Sequence, residues 1–156
     1  MIELNIRVQK VPGVLASGVS SMLPVSEQGM NNRAMPAGAQ IPLMERPLLD
    51  FRSVGPGYLR ALDISLLAGR VFEERDRDVA LLSMSAARQF WPESSPIGKK
   101  FLLGEDQSPP LKVIGILGDV HGAGMRAPSN PTTYLPYWKH GPSGSGSHQT
   151  TCFPPR

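Results

Sequence analysis

The segment from Val54 to Asp76 constrains the fold of this 156-residue chain more than any other. It opens with a Gly-Pro-Gly turn signal at 55–57, after which apolar residues follow at helical spacing, namely Tyr58, Leu59 and Leu62. Proline is tolerated in a first helical turn because the amide that it lacks would have no intrahelical partner there. The segment therefore predicts a turn and a short helix. A second apolar run follows and ends at Gly69-Arg70; it contains Ile64, Leu66 and Leu67.

The composition fits one globular domain with many turns. Hydrophobic residues make up 40% of the chain, enough for a core, and glycine and proline occur 16 times each. Turn residues at this frequency disfavour long uninterrupted helices. The net charge is +3, but basic and acidic residues are interspersed, and only Lys99 and Lys100 are adjacent basic residues. This charge pattern argues against nucleic-acid binding.

Cysteine usage and apolar runs bear on the cellular compartment. The single cysteine, Cys152, excludes an intrachain disulfide. No apolar run approaches the ~18–20 residues that cross a bilayer. The first ten residues also lack the apolar centre of a secretory signal. We therefore expect the chain as written to carry neither a membrane span nor an export signal.

Three longer segments have recognisable patterns. Leu111 to Val120 is apolar nearly throughout and rich in β-branched residues, which predicts a buried, central strand. Ile41 to Val54 predicts an edge strand, because Pro42 and Pro47 cannot donate to a central ladder. Glu73 to Phe90 contains neither glycine nor proline, so one amphipathic helix and a strand followed by a helix are both compatible with it.

The first forty residues are less regular. In residues 1–10 the apolar positions fit both the alternation of a strand and a narrow helical face, so both alternatives stay open. Ser26 to Gln40 is polar and has no clear period, which predicts a loop or a weak strand.

Glycine, histidine and cysteine residues offer two candidate ligand sites, and neither has the required pattern. Gly118 to Gly124 matches neither the dinucleotide-binding nor the P-loop motif, so we interpret it as a strand end followed by a flexible turn. His148 and Cys152 are four residues apart, a spacing found in zinc sites, and His121 and His140 offer further ligands. Because the pair lies in a segment with nothing to fix its geometry, we assign no metal site.

Nucleophilic and acid–base chemistry is also unsupported. Ser143 lies in GPSGS, which lacks the strand–turn–helix pattern of a nucleophile elbow. Asp76 and Asp119 are more simply turn and cap residues, whose oxygens accept hydrogen bonds from nearby amides. We therefore assign no catalytic residue and no cofactor.

Arg70 is the one charged residue singled out as a candidate for contact with a partner or with another domain. Its simpler interpretation is a local ion pair with Glu73 or Glu74, since residues at such short spacing readily pair on a surface. Four aromatic residues are predicted to belong to the core, namely Tyr58, Phe72, Phe90 and Trp91.

The Val54–Asp76 segment resembles part of the MacB-like periplasmic core domain, the extracytoplasmic part of certain ABC-transporter permeases. In that family the run reads approximately V-S-P-x-Y-F-x-x-L-G-I-x-L-x-x-G-R-x-F-x-x-x-D. Gly55, Leu59 and Asp63 replace the usual Ser, Phe and Gly. Ten residues of this chain fall on the pattern in register: Val54, Pro56, Tyr58, Leu62, Ile64, Leu66, Gly69, Arg70, Phe72 and Asp76.

The resemblance continues to about residue 138. It is carried by F-W-P at 90–92, P-I-G-K at 96–99, V-x-G-x-x-G-D-V at 113–120 and Y-L-P-Y at 134–137. It implies a helix within residues 1–10 and a sequence of further elements: a strand within Val14 to Leu23, a strand at Val79–Ser83, a helix at Met84–Phe90 and a strand at Phe101–Leu103. Residues 139–156 are rich in Gly, Ser and Pro and are predicted to form a disordered tail.

The resemblance implies an α+β fold over residues 1–138, with β-α-β porter-like segments and a small β-rich insert, incomplete at the C-terminus. It implies a non-catalytic extracytoplasmic domain that transmits conformational change in export and contacts partner proteins or substrate. The implied partners are the transmembrane and ATP-binding parts of an ABC transporter at the cell membrane, a second copy in a homodimer and a periplasmic adaptor protein. Two alternatives stay open: a small ligand-binding protein or enzyme that uses the Gly115–Gly124 turn, and a non-functional remnant of a permease gene.

Overall fold

The computed structural model describes residues 7, 10–14, 16–20, 30–55, 57–120, 130–139 and 149–153. Within these ranges nine strands form one mixed sheet: β1 (Ala16–Ser20), β2 (Asn31–Pro36), β3 (Leu48–Val54), β4 (Leu66–Gly69), β5 (Val79–Ser83), β6 (Lys100–Leu103), β7 (Leu111–Leu117), β8 (Thr132–Pro136) and β9 (Gln149–Phe153). The helices are short: α1 (Tyr58–Ala61), α2 (Met84–Phe90) and two 3-10 turns, Leu43–Glu45 and Tyr137–Lys139. No helix in the described ranges is both long and apolar enough to cross a membrane.

The strands are hydrogen-bonded in the order β2-β6-β7-β5-β8-β3-β1-β9, and β4 lies beside the C-terminal half of β7. β2 pairs with β3 through residues 31–33 and with β6 through residues 34–36, so the path from β2 to β3 returns on itself. The β5–β7 and β3–β8 pairs are parallel. The connection from β5 to β7 contains α2, as a parallel pair requires a crossover. This unit is the predicted β-α-β segment, and the α+β fold class is confirmed.

The junction at Ser83 explains why residues 73–90 do not form one long helix. β5 is buried along its whole length, which an amphipathic helix would not allow. Ser83 then begins α2 as its N-cap, because its Oγ accepts hydrogen bonds from the amides of Ala86 (3.3 Å) and Thr132 (3.0 Å). The strand-then-helix alternative is therefore correct.

β5 joins two apolar clusters on opposite faces of the sheet. Consecutive strand residues point to opposite faces, so Leu82 belongs to the first cluster and Leu81 to the second. The first cluster includes Phe101 and the second includes Tyr58, and both residues are buried. β7 is central, because β5 pairs with one of its edges, and β6 and β4 share the other. The prediction of a buried, central strand within Leu111 to Val120 is confirmed.

The aromatic residues predicted for the core differ in burial. Tyr58 is buried. Phe90 and Trp91 are partly buried and pack against the first cluster, and Phe72 is partly buried against the second. Trp91 directly follows the last residue of α2, and Lys99 lies over its ring at 5.5 Å from the centroid. The prediction that Trp91 is a core residue is therefore correct for its packing against the first cluster but not for full burial.

The prediction of an edge strand in Ile41 to Val54 is wrong. β3 pairs with β2, β8 and β1, so it lies inside the sheet. Both prolines precede the strand, because Pro42 lies next to a 3-10 turn and Pro47 comes just before Leu48. No amide within the ladder is therefore missing, and the usual restriction of proline to edges does not apply.

Part of the predicted tail also needs correction. Gln149–Phe153 forms β9 and pairs antiparallel with β1, from Ala16 opposite Phe153 to Ser20 opposite Gln149. β1 lies between β3 and β9 in the sheet. It meets β3 through a single residue pair, whereas β9 pairs with all five of its residues. The five residues also include two threonines and a phenylalanine, which favour strands. Residues 140–148 and 154–156 lie outside the described part of the chain.

The first forty residues follow the predictions where the structure describes them. β1 lies within the predicted Val14 to Leu23 strand, and β2 corresponds to the weak-strand alternative for Ser26 to Gln40. Within residues 1–10 only Arg7 and Lys10 are described; Arg7 is helical. The rest of that predicted helix lies outside the described residues.

Candidate partner-contact site at the Arg70 loop

Arg70 is placed by the close approach of β4 to β7. Gly69 lies opposite Gly115, and the Arg70 amide donates to the Ile114 carbonyl at 3.0 Å. Gly69 has a φ of +78°, and a Cβ at this position would lie 2.2 Å from the Ile114 oxygen. Glycine alone tolerates both this conformation and this approach. The Gly-Arg pair therefore fixes the end of β4 from which the Arg70 side chain projects.

The Arg70 guanidinium binds Asp76 most closely, and it also forms the longer ion pair with Glu73 that the sequence predicted. Nη1 and Nη2 donate to Oδ2 and Oδ1 of Asp76 at 2.6 and 2.8 Å. The shortest distance from Arg70 to a Glu73 oxygen is 3.9 Å. The predicted ion pair with Glu73 is therefore present, and Asp76 is the closer partner of Arg70. Contact of Arg70 with another protein stays a prediction, and 47% of its side chain is exposed.

Asp76 organises the loop from residue 71 to 75. Its Oδ2 also accepts a hydrogen bond from the Glu73 amide at 2.8 Å, which makes Asp76 a turn residue as predicted. The hydrogen bond from Arg70 lowers the pKa of Asp76, with a further lowering from the Glu73 amide and an opposing effect of burial. The same hydrogen bond raises the pKa of Arg70. Both groups are therefore charged at neutral pH and serve to shape the loop.

Trp138, which sequence reasoning did not single out, closes this loop from the other side. Its Nε1 donates to the Asp76 carbonyl at 3.0 Å. Its ring packs edge-on against Phe72 and Tyr137, with centroid separations of 6.3 and 5.5 Å. Such edge-to-face pairs are favourable beyond the area that they bury. The available signal was its position directly after the Y-L-P-Y motif at 134–137.

The turn before α1, α1 itself and the 71–75 loop enclose a groove of about 900 Å³, which we name the Arg60–Glu74 groove. Arg60 lies on its α1 wall and Glu74 on its loop wall. Its apolar lining includes Leu59, Val71, Phe72 and Trp138. Histidine, cysteine and serine are absent from the described residues that line it. The groove can therefore hold apolar groups and bind opposite charges on its two walls.

The other residues considered from the sequence do not assemble into a site. Asp119 acts as a cap, because its Oδ1 accepts hydrogen bonds from the amide and the hydroxyl of Ser85 at 3.0 and 2.8 Å. The described residues contain no group of three metal-ligating side chains. The remaining candidates lie outside the described residues, namely His121, His140, Ser143 and His148. Cys152 lies in β9.

The fold matches solved extracytoplasmic domains of ABC-type transporters. The extracellular domain of the noncanonic ABC-type transporter YknZ from Gram-positive bacteria is 19% identical, with a TM-score of 0.58, over 86% of this chain and 61% of that one. The periplasmic region of MacB from Actinobacillus actinomycetemcomitans is 17% identical, with a TM-score of 0.61, over 93% of this chain and 59% of that one. At these identities the likeness establishes the fold.

The sequence model of the MacB-like periplasmic core domain matches residues 3–151, and the chain therefore belongs to this family. Macrolide export ATP-binding/permease proteins MacB from Psychrobacter arcticus and Psychrobacter cryohalolentis are each 34% identical over 90 residues. The aligned part covers 54% of this chain and 13% of each relative. The family match ends at residue 151, within β9, whereas the sequence predicted an end near residue 138.

Proposed function

We propose that this chain is a non-catalytic extracytoplasmic domain of an ABC-transporter permease and that it transmits conformational change during export. The family match over residues 3–151 is the observation that carries the proposal. The domain would lie on the periplasmic side of the cell membrane. Its partners would be the transmembrane and ATP-binding parts of the transporter, a second permease copy and a periplasmic adaptor protein.

A transmitting domain has to move as a unit. The hydrogen-bonded path from β2 through β7 and β5 to β3 returns on itself, so each of its strands is held on both sides. Sliding one strand against its neighbours would break several backbone hydrogen bonds, each with a net contribution of about 0.5–1.5 kcal/mol. We therefore expect the sheet to pass on a movement applied at one end as a rigid displacement.

The Arg70 loop supports a role in contacts with other proteins. Asp76 and Trp138 hold the loop against the sheet, so a force on the loop would reach β4 and the end of β8 directly. Arg70 keeps about half of its side chain exposed beside this fixed loop. A fixed, exposed surface loses little conformational entropy when it docks, which favours binding.

A distance measurement in a working transporter tests the proposal. Residues 3–153, which include the whole of β9, would replace the corresponding core of a MacB-type permease, with Cys152 changed to Ser and a spin label attached at Ile97→Cys. Ile97 is an exposed residue, so the label should leave the core intact. We expect the distance between the labels of two permease copies to change when ATP binds, and to return after hydrolysis.

The matched control is the same labelled transporter with an ATP-binding part that cannot hydrolyse ATP, which should stop at the ATP-bound distance. A chimera that hydrolyses ATP and exports substrate while the distance stays constant would contradict the proposed transmission of movement.

A further inference from the structure

β4 presents a short strand edge whose residues are all exposed. β7 pairs with one side of β4, and in the described part of the chain no strand pairs with the other side. All four residues of β4 are exposed, including 41% of Leu66 and 51% of Leu67. Natural edge strands are commonly blocked by charged residues or proline, and β4 contains neither; its protection is limited to its length of four residues and to a register shift between Leu66 and Ala68. Such an edge can accept an added strand.

Val71 connects this edge to the Arg60–Glu74 groove. It follows β4 by two residues, is 45% exposed and lines the groove together with Phe72. Leu59 and Trp138 add apolar surface from the other elements. A volume of about 900 Å³ is in the range of sites that enclose small ligands, so large side chains fit.

The charges of the groove indicate the chemistry of its occupant. Glu73 is paired with Arg75 at 2.8 Å, and Asp76 is paired with Arg70. Arg60 and Glu74 are both exposed and form no ion pair within the described residues. An occupant with an acidic group towards Arg60 and a basic group towards Glu74 would complement both walls.

We propose that the β4 edge and the Arg60–Glu74 groove together bind an extended segment of a partner protein. The segment adds to β4 as a strand and places a large apolar side chain in the groove, with an acidic residue two positions to one side of it and a basic residue two positions to the other, on the same face of the strand. Backbone pairing supplies affinity in this mode of binding, and the groove supplies specificity. This inference rests on the proposed partner-contacting function and assigns a surface to it.

Synthetic heptapeptides test the site by calorimetry with the full 156-residue chain. The first peptide has a central phenylalanine, with an aspartate two residues before it and a lysine two residues after it, so that all three side chains share one face of an added strand; its other residues are valine and threonine. The second has serine in place of phenylalanine. We expect the serine peptide to bind at least about tenfold more weakly, because the buried apolar area is lost. Hydrogen exchange of the β4 amides should slow when the first peptide binds.

Two variants locate the binding. Leu67→Lys places a charge on the exposed edge and should abolish binding, whereas Ile97→Lys, at an exposed apolar residue elsewhere, should leave it unchanged. Arg60→Glu makes both walls acidic, so the preference should pass to a peptide with lysine at both of the charged positions. Circular dichroism of each variant checks that the fold is intact.

Three outcomes would overturn the inference: equal binding of the phenylalanine and serine peptides, unchanged exchange at β4, or equal effects of the lysine variants at 67 and 97. Sedimentation that shows a dimer with β4 protected in the absence of peptide would also overturn it, since the occupant would then be a second copy. None of these results alters the distance measurement in the transporter, so failure of the docking site can be told apart from failure of the proposed function.

Discussion

The packing of β1 against the start of α1 predicts a large effect of Gly18→Ala. A Cβ at Gly18 would lie 2.4 Å from the Tyr58 Cα and 2.5 Å from the Tyr58 nitrogen. Carbon atoms in contact are normally ~3.5–4.0 Å apart, so the two backbones would have to separate by about 1 Å. Overpacking of this kind costs about 1–3 kcal/mol, with values near the upper end expected where backbone must move. The midpoint of thermal unfolding should fall by roughly 2–12 °C for a chain of this length.

Gly118→Ala is the matched control for this substitution. Neither glycine lies in the left-handed region, and a Cβ at Gly118 would meet only the Ser65 oxygen, at 3.8 Å. Alanine at such a site restricts the unfolded chain, so stability should be unchanged or rise by up to about 1 kcal/mol. Differential scanning calorimetry of the two variants decides the matter. If the unfolding midpoints of the two variants agree within about 1 °C, the inferred contact between β1 and α1 is refuted, because that contact predicts a larger fall for Gly18→Ala.

Three further substitutions test the loop, the cap and the aromatic packing. Asp76→Asn should cost about 1–2 kcal/mol in urea unfolding, because it removes charge-assisted bonds to a half-exposed Arg70. Since the pKa of Asp76 is lowered in the folded state, its contribution is present above the unfolded pKa of about 3.9 and is lost as pH falls further, so the Asn variant should lose less stability in acid. Ser83→Ala should cost about 1–2 kcal/mol, because the amides at both Ala86 and Thr132 lose their acceptor. Trp91→Ala should cost about 2–3 kcal/mol, below the range for a fully buried aromatic; a urea midpoint equal to that of the wild type would contradict its packing against the first cluster.

Local sequence patterns predict the elements in which the residue types match the burial of the element. The run of apolar and β-branched residues in β7 predicts a central strand, and such a strand needs no further information because both of its faces are buried. The resemblance to a known family decides between one helix and a strand followed by a helix for residues 73–90. Single-sequence periodicity leaves that choice open, since the run of four apolar residues in β5, Val79 to Leu82, resembles one turn of a buried helix.

Pairing between distant segments is the part that sequence patterns do not predict. The prolines near β3 predict an edge strand only if they lie within the hydrogen-bonded ladder, where an amide would be missing. Pro47 lies one residue before the first residue of β3, so no amide of the strand is lost. β9 lies at the end of a low-complexity segment and gains its partner from β1, more than a hundred residues earlier. The close contact of Arg70 with Asp76 was not predicted for the same reason: the distance from the end of β4 to Asp76 depends on how the loop between them folds back.

The residues of the Val54–Asp76 motif are better explained by geometry than by chemistry. Gly69 permits the approach of β4 to β7, and Arg70 and Asp76 fold the following loop into one wall of the groove. Removing Arg70 would therefore disturb the wall as well as any direct contact, so loss of partner binding on its replacement would not identify it as a contact residue. Arg60 and Glu74 make no ion pair within the described residues, and their exchange leaves the Arg70–Asp76 pair in place. Substitutions at these two positions separate the surface from the scaffold that supports it.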